Sequence, residues 1–363
     1  MRIAISLLNF RPGMIGGAET YIRRLLEHLP RAAVGHTLML VLYGDIAETI
    51  RTPGYERIVV DRSDRRMIAA RIMEAYTPLR ARFAERAFDK AAADVVFFPQ
   101  QSIFPRTVRG PCVMTVVDVQ HLFFPEYFGL FDRTFRARVY PRSLRRADHI
   151  VAISEYTRKT VIERCGVPAE RITAVPFGTS GADVSQIEPT DKLPRPYLYY
   201  PAATFPHKNH RALLRTFAAL RKRGGFPYKL VLTGRQTPEW TRLQALIAEL
   251  GLKEDVIHPG FIPFEEVLRV YRGAEAILFP TQFEGFGLPV LEAVEFNKKI
   301  VTSRLEVFDE IGVPRRFQID FADPDELAKA LAVPGPTRLE KTPATWPEIA
   351  ARMVDIFQQT VRR

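Results

Sequence analysis

The sequence predicts an α/β protein built of two doubly wound domains. Three observations carry this. Short apolar runs alternate with helical patterns along nearly the whole chain, which is the signature of strands and helices layered on parallel sheets. The length, 363 residues, is about twice that of a usual domain. One polar stretch, GTSGADVSQIEPTDKLPRP at 178–196, breaks the alternation, and the alternation then restarts.

Taken in order, the first half offers strands at 3–8 (IAISLL), 37–42, 57–60, 94–98, 112–117, 149–154 and 171–176. Their near-continuous apolar character fits strands buried on both faces. Helical patterns lie between them, among them 18–29 and 155–165. The linker is rich in Gly, Ser, Asp and Pro. The second half offers strands at 196–200, 228–234, 256–260, 276–280 and 299–303, separated by helices at 209–222, 238–250, 264–272 and 289–297. Residues 334–345 read as a loop and 346–361 as a last helix. The expected domains are 1–180 and 181–345, with 346–363 as a helix packing back toward the first. Open α/β sheets bind ligands beyond the carboxyl ends of their strands, and two facing sheets make an interdomain cleft suited to a small molecule.

Bulk composition narrows the class. Apolar residues make up 47% and charged residues 26%, which is ordinary for a globular enzyme. Cys112 and Cys165 are far apart and fit no metal or disulfide pattern, as in a reducing compartment. No apolar run reaches the roughly 18 residues that span a bilayer. The opening MRIAISLLNFRPG reads as a first buried strand, not a signal peptide. A cytoplasmic protein, peripheral at the inner face of a membrane, is therefore expected. The formal charge is +11. Residues 1–180 hold 27 basic and 18 acidic side chains, and residues 181–363 hold 25 and 23, so the excess sits in the first half. Anionic membrane, a phosphate-bearing substrate and a merely solvated surface all fit it. Two basic stretches stand out. Residues 133–146 carry six arginines and no acid, and 62–90 interleaves basic residues with Met67, Ile68, Ile72, Met73, Leu79 and Phe83. Basic helices with an apolar face suit a membrane surface. No recognition motif for nucleic acid accompanies the charge.

Four pieces at expected strand ends carry chemistry. The most specific is EGFGLPVLE at 284–292. Pro289 suits a first helical turn, so a helix is expected from about Leu288, with Gly285 and Gly287 in the turn before it and Glu292 in its first turn. Glycines admit close ligand approach, and a helix N-terminus favours phosphate. The acids Glu284 and Glu292 suit hydroxyls of a sugar and a ribose. A phosphate between hydroxyl-bearing groups describes a nucleotide sugar. In PAATFPHKNH (201–210), Lys208 precedes a helix and can neutralise a diphosphate. In MIGGAETY (14–21), Gly16 and Gly17 open a helix without forming a dinucleotide-binding GxGxxG pattern. The fourth piece is TVVDVQHLFFPEYF (115–128). His207 and His210 lack a third ligand at metal spacing, and no GxSxG nucleophile elbow occurs.

In order and spacing, these pieces resemble the family 4 glycosyltransferases, from MRIAIS through FADPDELAKAL and including RRADHIVAISEYTRKTVIERCGVPAERITAVPFG. The resemblance implies the GT-B fold: two Rossmann-like domains facing an interdomain cleft, the donor held mainly by the second and the acceptor by the first. It implies transfer with retention and no metal or other cofactor. Its catalytic assignments are Glu284, Lys208 and Asp118. Donor binding falls to Gly16, Gly17, Lys208, Glu284, Phe286, Gly287, Leu288 and Glu292, and the acceptor or sugar side to Asp118 and His121. Partners implied are a nucleotide-sugar donor, a glycan or lipid-linked acceptor and an anionic membrane surface. The stretches at 115–128 and 199–210 resemble bacterial surface-polysaccharide mannosyltransferases, which points to GDP-mannose. A UDP-sugar transferase, a GT-B epimerase or phosphorylase and a non-catalytic donor-binding subunit are the alternatives. The chain departs from the family pattern at Ala202, where an arginine is usual, and at Val117, where a histidine is usual and for which His121 is a substitute. It departs again at Asn297-Lys298-Lys299 in place of Gly-Lys-Pro, where only a different turn is expected.

Overall fold

The computed structural model describes residues 1–13, 17–179 and 184–362. It divides into two compact units. One comprises Met1–Gly178 and Ala344–Arg363, the other Thr179–Pro343.

In the first unit the chain runs β1 (Arg2–Ser6), α1 (Gly17–Ala32), β2 (Thr37–Tyr43), α2 (Gly44–Ala47), β3 (Glu56–Val60), α3 (Asp64–Tyr76), α4 (Arg82–Ala91), β4 (Val95–Phe98), β5 (Cys112–Val116), α5 (Gln120–Phe123), α6 (Leu130–Arg146), β6 (His149–Ala152), α7 (Glu155–Cys165) and β7 (Ile172–Ala174). The sheet is parallel throughout, in the order β3-β2-β1-β4-β5-β6-β7. Its central strands β4, β5 and β6 are wholly buried, whereas edge strand β3 is largely exposed. This is the burial that continuous apolar runs signal. Ser154 caps α7 by accepting from the Thr157 amide, and Gly166 closes the helix in the left-handed conformation, as cap chemistry dictates.

The second unit repeats the plan with β8 (Tyr197–Pro201), α8 (His210–Lys222), β9 (Lys229–Thr233), α9 (Glu239–Glu249), β10 (Val256–Ile257), α10 (Phe264–Gly273), β11 (Ala276–Phe279), α11 (Leu288–Glu295), β12 (Lys299–Ser303), α12 (Glu306–Ile311), β13 (Gln318–Ile319) and α13 (Pro324–Ala332). The order β10-β9-β8-β11-β12-β13 is again parallel. In both units the strand order reverses once, between β1 and β4 and between β8 and β11. Such a switch point opens a crevice at the carboxyl ends of the two neighbouring strands.

The last helix, α14 (Trp346–Arg362), belongs to the first unit and packs on α1. Trp346 stacks at 6.1 Å on Phe177, which lies 5.1 Å from Tyr21, and Phe357 meets Phe97 of β4 at 5.2 Å. Gly178 is needed for this return. A Cβ there would stand 2.7 Å from the Trp346 amide nitrogen.

Several expected boundaries shift. The strand expected over 256–260 stops at Ile257, because Pro259 lacks an amide donor and Gly260 takes φ +84. Strand 171–176 ends at Ala174, before Pro176. Strand β13 has only two residues, too short for a periodic signal. Helix α11 starts at Leu288, as Pro289 requires, so Glu292 is its fifth residue and lies in the second turn, not the first.

Candidate functional site

The second unit's site is built by the loops after β8 and β11, the pair that flanks the switch point. After β8 the chain makes a single 3-10 turn, Pro206–Lys208, and Asn209 then takes φ +55 to enter α8. Asparagine tolerates this left-handed conformation better than most residues. Its side-chain amide donates to the Pro280 carbonyl at 3.1 Å. The Gln282 amide donates to the His207 carbonyl at 2.8 Å, and the Thr281 hydroxyl to the same oxygen at 3.2 Å. Three hydrogen bonds thus stitch the two loops together.

Across this seam Lys208 Nζ donates to Glu284 Oε1 at 2.5 Å. The two side chains are 21% and 16% exposed, dry enough for the charges to be weakly screened yet open to a ligand. The Lys208 carbonyl accepts from the buried Tyr200 hydroxyl at 2.9 Å, which fixes the turn from below. The structure therefore brings together the lysine and first acid that the sequence places 76 residues apart.

Glu292 is held by a residue that sequence reasoning did not single out. The Tyr271 hydroxyl, on α10, donates to Glu292 Oε2 at 2.9 Å. Tyr271 is fully buried, stacks on Phe296 at 5.5 Å and meets Tyr199 edge-on at 5.2 Å. Burial, reinforced by the Glu292 charge, pushes its phenol far above the usual range, so it stays a donor. A tyrosine within an apolar helix face reads as core, and no pattern in the sequence separates the two roles.

Between the acids, Phe286 and Leu288 bury their side chains, which leaves backbone to face the loop. Gly287 caps α11 with φ +103, and a Cβ there would lie 3.0 Å from the Phe308 ring. Only glycine fits this turn without strain. His207 and His210 are driven down to about 3, chiefly by burial and next by Lys208 for the first and His258 for the second. Both are neutral imidazoles at neutral pH. Among the described residues, no three His, Cys, Asp or Glu side chains converge as a metal-binding group. Arg235, just past β9, lies 5.4 Å from the Phe205 ring of the Lys208 loop. Asn297 ends α11 with φ +54, a left-handed closure that asparagine accepts.

In the first unit, Asp118 and His121 follow β5. Asp118 Oδ1 accepts from the Gln120 amide at 3.0 Å. Gln101, beyond β4, clamps the same turn: its amide nitrogen donates to the Asp118 carbonyl at 2.8 Å, and its oxygen accepts from the Val117 and Asp118 amides at 3.1 and 3.2 Å. Gln101 is a second residue that the sequence alone did not mark. Burial, then the Arg136 charge, lowers His121 to about 4. Gly17 is the first residue of α1, and a Cβ on it would meet nothing within 4 Å, so packing within the chain does not demand glycine there. Gly16 lies outside the described residues. Both cysteines are free thiols, and burial raises both, Cys112 to about 12.

Comparison with known proteins adds the following. The family model for glycosyl transferases group 1 matches residues 185–333, and the model for glycosyltransferase family 4 matches residues 15–180. The chain is 25% identical over 198 residues to the O-antigen chain mannosyltransferase RfbU of Salmonella typhimurium, covering 54% of this chain and 53% of that one. It is 27% identical over 253 residues to O-antigen chain mannosyltransferase B of Escherichia coli, covering 66% and 65%. The match thus spans between about half and two thirds of these curated relatives. Among solved structures, Anabaena HepE in complex with UDP and glucose aligns over 100% of this chain and 98% of its own, with a TM-score of 0.64 and 18% identity. WaaG, a glycosyltransferase involved in lipopolysaccharide biosynthesis, aligns over 99% and 98%, with a TM-score of 0.62 and 17% identity.

Proposed function

We propose that this chain, which belongs to the family 4 glycosyltransferases of the GT-B fold, moves a hexose from a nucleoside diphosphate to a glycan or lipid-linked glycan in polysaccharide assembly. The donor we propose is GDP-mannose, in line with the mannosyltransferases among its relatives. The observation that carries the reading is the Lys208–Glu284 pair, 2.5 Å apart at the switch point beside the N-terminus of α11. A cation and a carboxylate so placed match a ligand that is anionic at one end and hydroxylated at the other.

In this reading the Lys208 ammonium turns to the diphosphate and Glu284 accepts from hydroxyls of the transferred sugar. The backbone at Phe286, Gly287 and Leu288 lines the sugar and diphosphate. Glu292, oriented by Tyr271, accepts from the ribose. Arg235 supplies a second cation where the family arginine is replaced by Ala202. Gly16 and Gly17 admit the phosphates closely, and Asp118 and His121 line the acceptor. The bond from the anomeric carbon to the diphosphate oxygen breaks as the acceptor oxygen bonds to the same face. The acceptor proton passes to the departing phosphate oxygen, and the configuration is retained. Preorganised donors of this kind are worth about 3–4 kcal/mol each at a developing charge. The reaction proposed uses no metal, so chelation with EDTA leaves the rate unchanged.

The test is turnover with GDP-mannose by the wild type and by Lys208→Met, followed by proton NMR of the new anomeric centre. An α-linked product from the wild type and on the order of a hundredfold loss in the variant are expected. Turnover with a UDP-sugar alone would overturn the donor, a β-linked product the stereochemistry, and full activity in Lys208→Met the site.

We propose further that the first unit meets an anionic membrane through the α3–α6 face. Tyr76, Leu79, Leu130 and Phe131 are exposed there at 39%, 59%, 76% and 54%. Exposed arginines, among them Arg133 and Arg138, flank them. Apolar side chains inside a cationic rim complement acidic lipid.

A further inference from the structure

A cavity at the outer edge of the second unit has no part in the transfer as proposed. It lies along α9 beside the edge strand β10, measures about 240 Å³, and is lined by Trp240, Gln244, Ile247, Lys253, Val256 and His258. Trp240, Gln244 and Ile247 share one face of α9, since residues three and four apart are neighbours on a helix. Lys253 precedes β10 and Val256 begins it. The cavity therefore extends toward the end of the sheet opposite the Lys208–Glu284 loops.

Its floor is apolar and its rim is rich in donors. The half-exposed Trp240 ring stands 4.2 Å from the His258 ring, and Ile247 and Val256 extend the apolar surface. His258 Nδ1 accepts from the Gly260 amide at 2.9 Å, which places the proton of the neutral ring on Nε2. Burial favours that neutral form by holding the imidazole below its usual range. Among the described residues, His258 Nε2 is buried without a hydrogen-bond partner. The exposed side chains of Gln244 and Lys253 have none either.

A sugar ring matches this arrangement. One face of a pyranose consists of C–H groups, which suit the negative face of an indole. Its rim is oxygen, which accepts from an amide, an ammonium and an imidazole N–H. An oxygen brought in against His258 supplies the acceptor that Nε2 lacks. The volume is below the roughly 300–1,000 Å³ of pockets for drug-sized ligands, so it suits one ring and not a whole nucleotide sugar. Of the six lining residues Lys253 is the one cation, and a lysine is a point charge without the fork that grips a phosphate.

We propose that Trp240, Gln244, Lys253 and His258 form a secondary sugar-binding site that holds one residue of a glycan chain apart from the point of transfer. Its use during polysaccharide assembly rests on the transferase reading. Sugar binding at Trp240 does not.

The experiment is equilibrium dialysis of radiolabelled α-mannotriose against the full chain, with and without saturating GDP to fill the donor site. Wild type and Lys208→Met are expected to bind the sugar alike, in the millimolar range. Trp240→Leu should bind it at least about tenfold more weakly and Gln244→Ala about threefold more weakly, with Trp240→Phe intermediate. No binding by the wild type, unchanged binding in Trp240→Leu, or binding that GDP abolishes overturns the site. GDP binding by each variant is read separately, so a failed donor site is told apart from a failed sugar site. Should Trp240→Leu not fold, the wild type still decides. The chain has two tryptophans, and Trp346 is buried in the first unit. Mannotriose must therefore change the fluorescence of Trp240, and unmoved emission refutes the proposal. Electrophoresis through a gel containing mannan reads the longer chain. Retardation of the wild type but not of Trp240→Leu supports a glycan as the occupant. Wild-type mobility that mannan leaves unchanged overturns the glycan assignment.

Discussion

Lys208 and Glu284 are each other's partner before any ligand arrives, and this shapes what substitution should do. A donor bound as proposed must trade the 2.5 Å contact for its own phosphate and hydroxyls, so the pair rests satisfied before binding. Removing Glu284 leaves the ammonium without its orienting acceptor. Glu284→Ala is expected to fold normally and lose on the order of 10²–10³ in kcat, measured by steady-state kinetics. Glu292 is different under the proposed role, because contacts to a ribose would change little during reaction. Tyr271→Phe removes the donor that aims Glu292 and should raise the donor KM by about tenfold with kcat nearly unchanged, the mark of lost uniform binding. A kcat loss as large as that of Glu284→Ala would refute the division of labour. The buried histidines give a second residue-scale outcome. His207 and His210 fall to about 3 and His121 to about 4, against about 6.5 unfolded. These folded values are depressed, so the unfolded chain takes up protons first. The stability they contribute is complete above about pH 6.5 and is lost as pH falls toward 4 and below. The melting temperature should therefore fall with acid, and less steeply in His210→Leu, as calorimetry across pH 7 to 4.5 would register.

At the scale of elements, Gly287 and α14 show where backbone and packing decide. Gly287→Ala must hold φ +103 with its Cβ at 3.0 Å from Phe308. The left-handed cost alone is about 1–2 kcal/mol, and the start of α11 should shift with it. Chemical denaturation reads the first effect and donor affinity the second. Phe357→Ala opens the α14 contact with Phe97 and should cost roughly 3–5 kcal/mol, again by denaturant midpoint. Most of these elements were legible because they obey local rules. β4, β5, β8 and β11 are buried on both faces and read as unbroken apolar runs, and Pro289 announces the start of α11. The start of α11 at Leu288 was read correctly, but at about 3.6 residues per turn its fifth residue, Glu292, already opens the second turn. Tyr271 and Gln101 were not legible at all. Each meets its partner, Glu292 or Asp118, across a crossover of the chain, and hydrogen bonds between distant segments leave no periodicity. The reversal of strand order that aligns the Lys208 and Glu284 loops is likewise a property of the sheet.

For the molecule as a whole, the charge excess of the first half resolves into arginines with different tasks. Three that the sequence groups together, Arg142, Arg145 and Arg146, do not act together. Arg142 donates to the Glu74 carbonyl at 3.2 Å, and Arg146 pairs with Asp148 at 3.1 Å and donates to the Val108 and Gly110 carbonyls at 2.7 and 2.8 Å. Arg142 thus ties α6 to α3 and Arg146 ties it to the stretch before β5, and only Arg145 is exposed. Replacing all three would damage the fold before it tested a membrane. The side chains that suit a bilayer lie one to three turns earlier. Phe131 stacks with Tyr76 at 6.1 Å, and Arg138 lies 4.8 Å from the same tyrosine, so apolar and cationic groups share one face. No helix among the described residues is long and apolar enough to cross a membrane, and contact of this kind needs none. Each arginine near an acidic surface contributes about 1 kcal/mol, screened beyond roughly 10 Å at 0.1 M salt. Leu130 and Phe131 would add a term that salt does not screen. Co-sedimentation with phosphatidylglycerol vesicles should therefore fall with rising salt in the wild type but retain a residual. The double variant Leu130→Ser with Phe131→Ser should lose that residual, and Arg133→Ser with Arg138→Ser should lose the salt-dependent part. Sedimentation that responds to neither pair leaves the arginines as solvated surface.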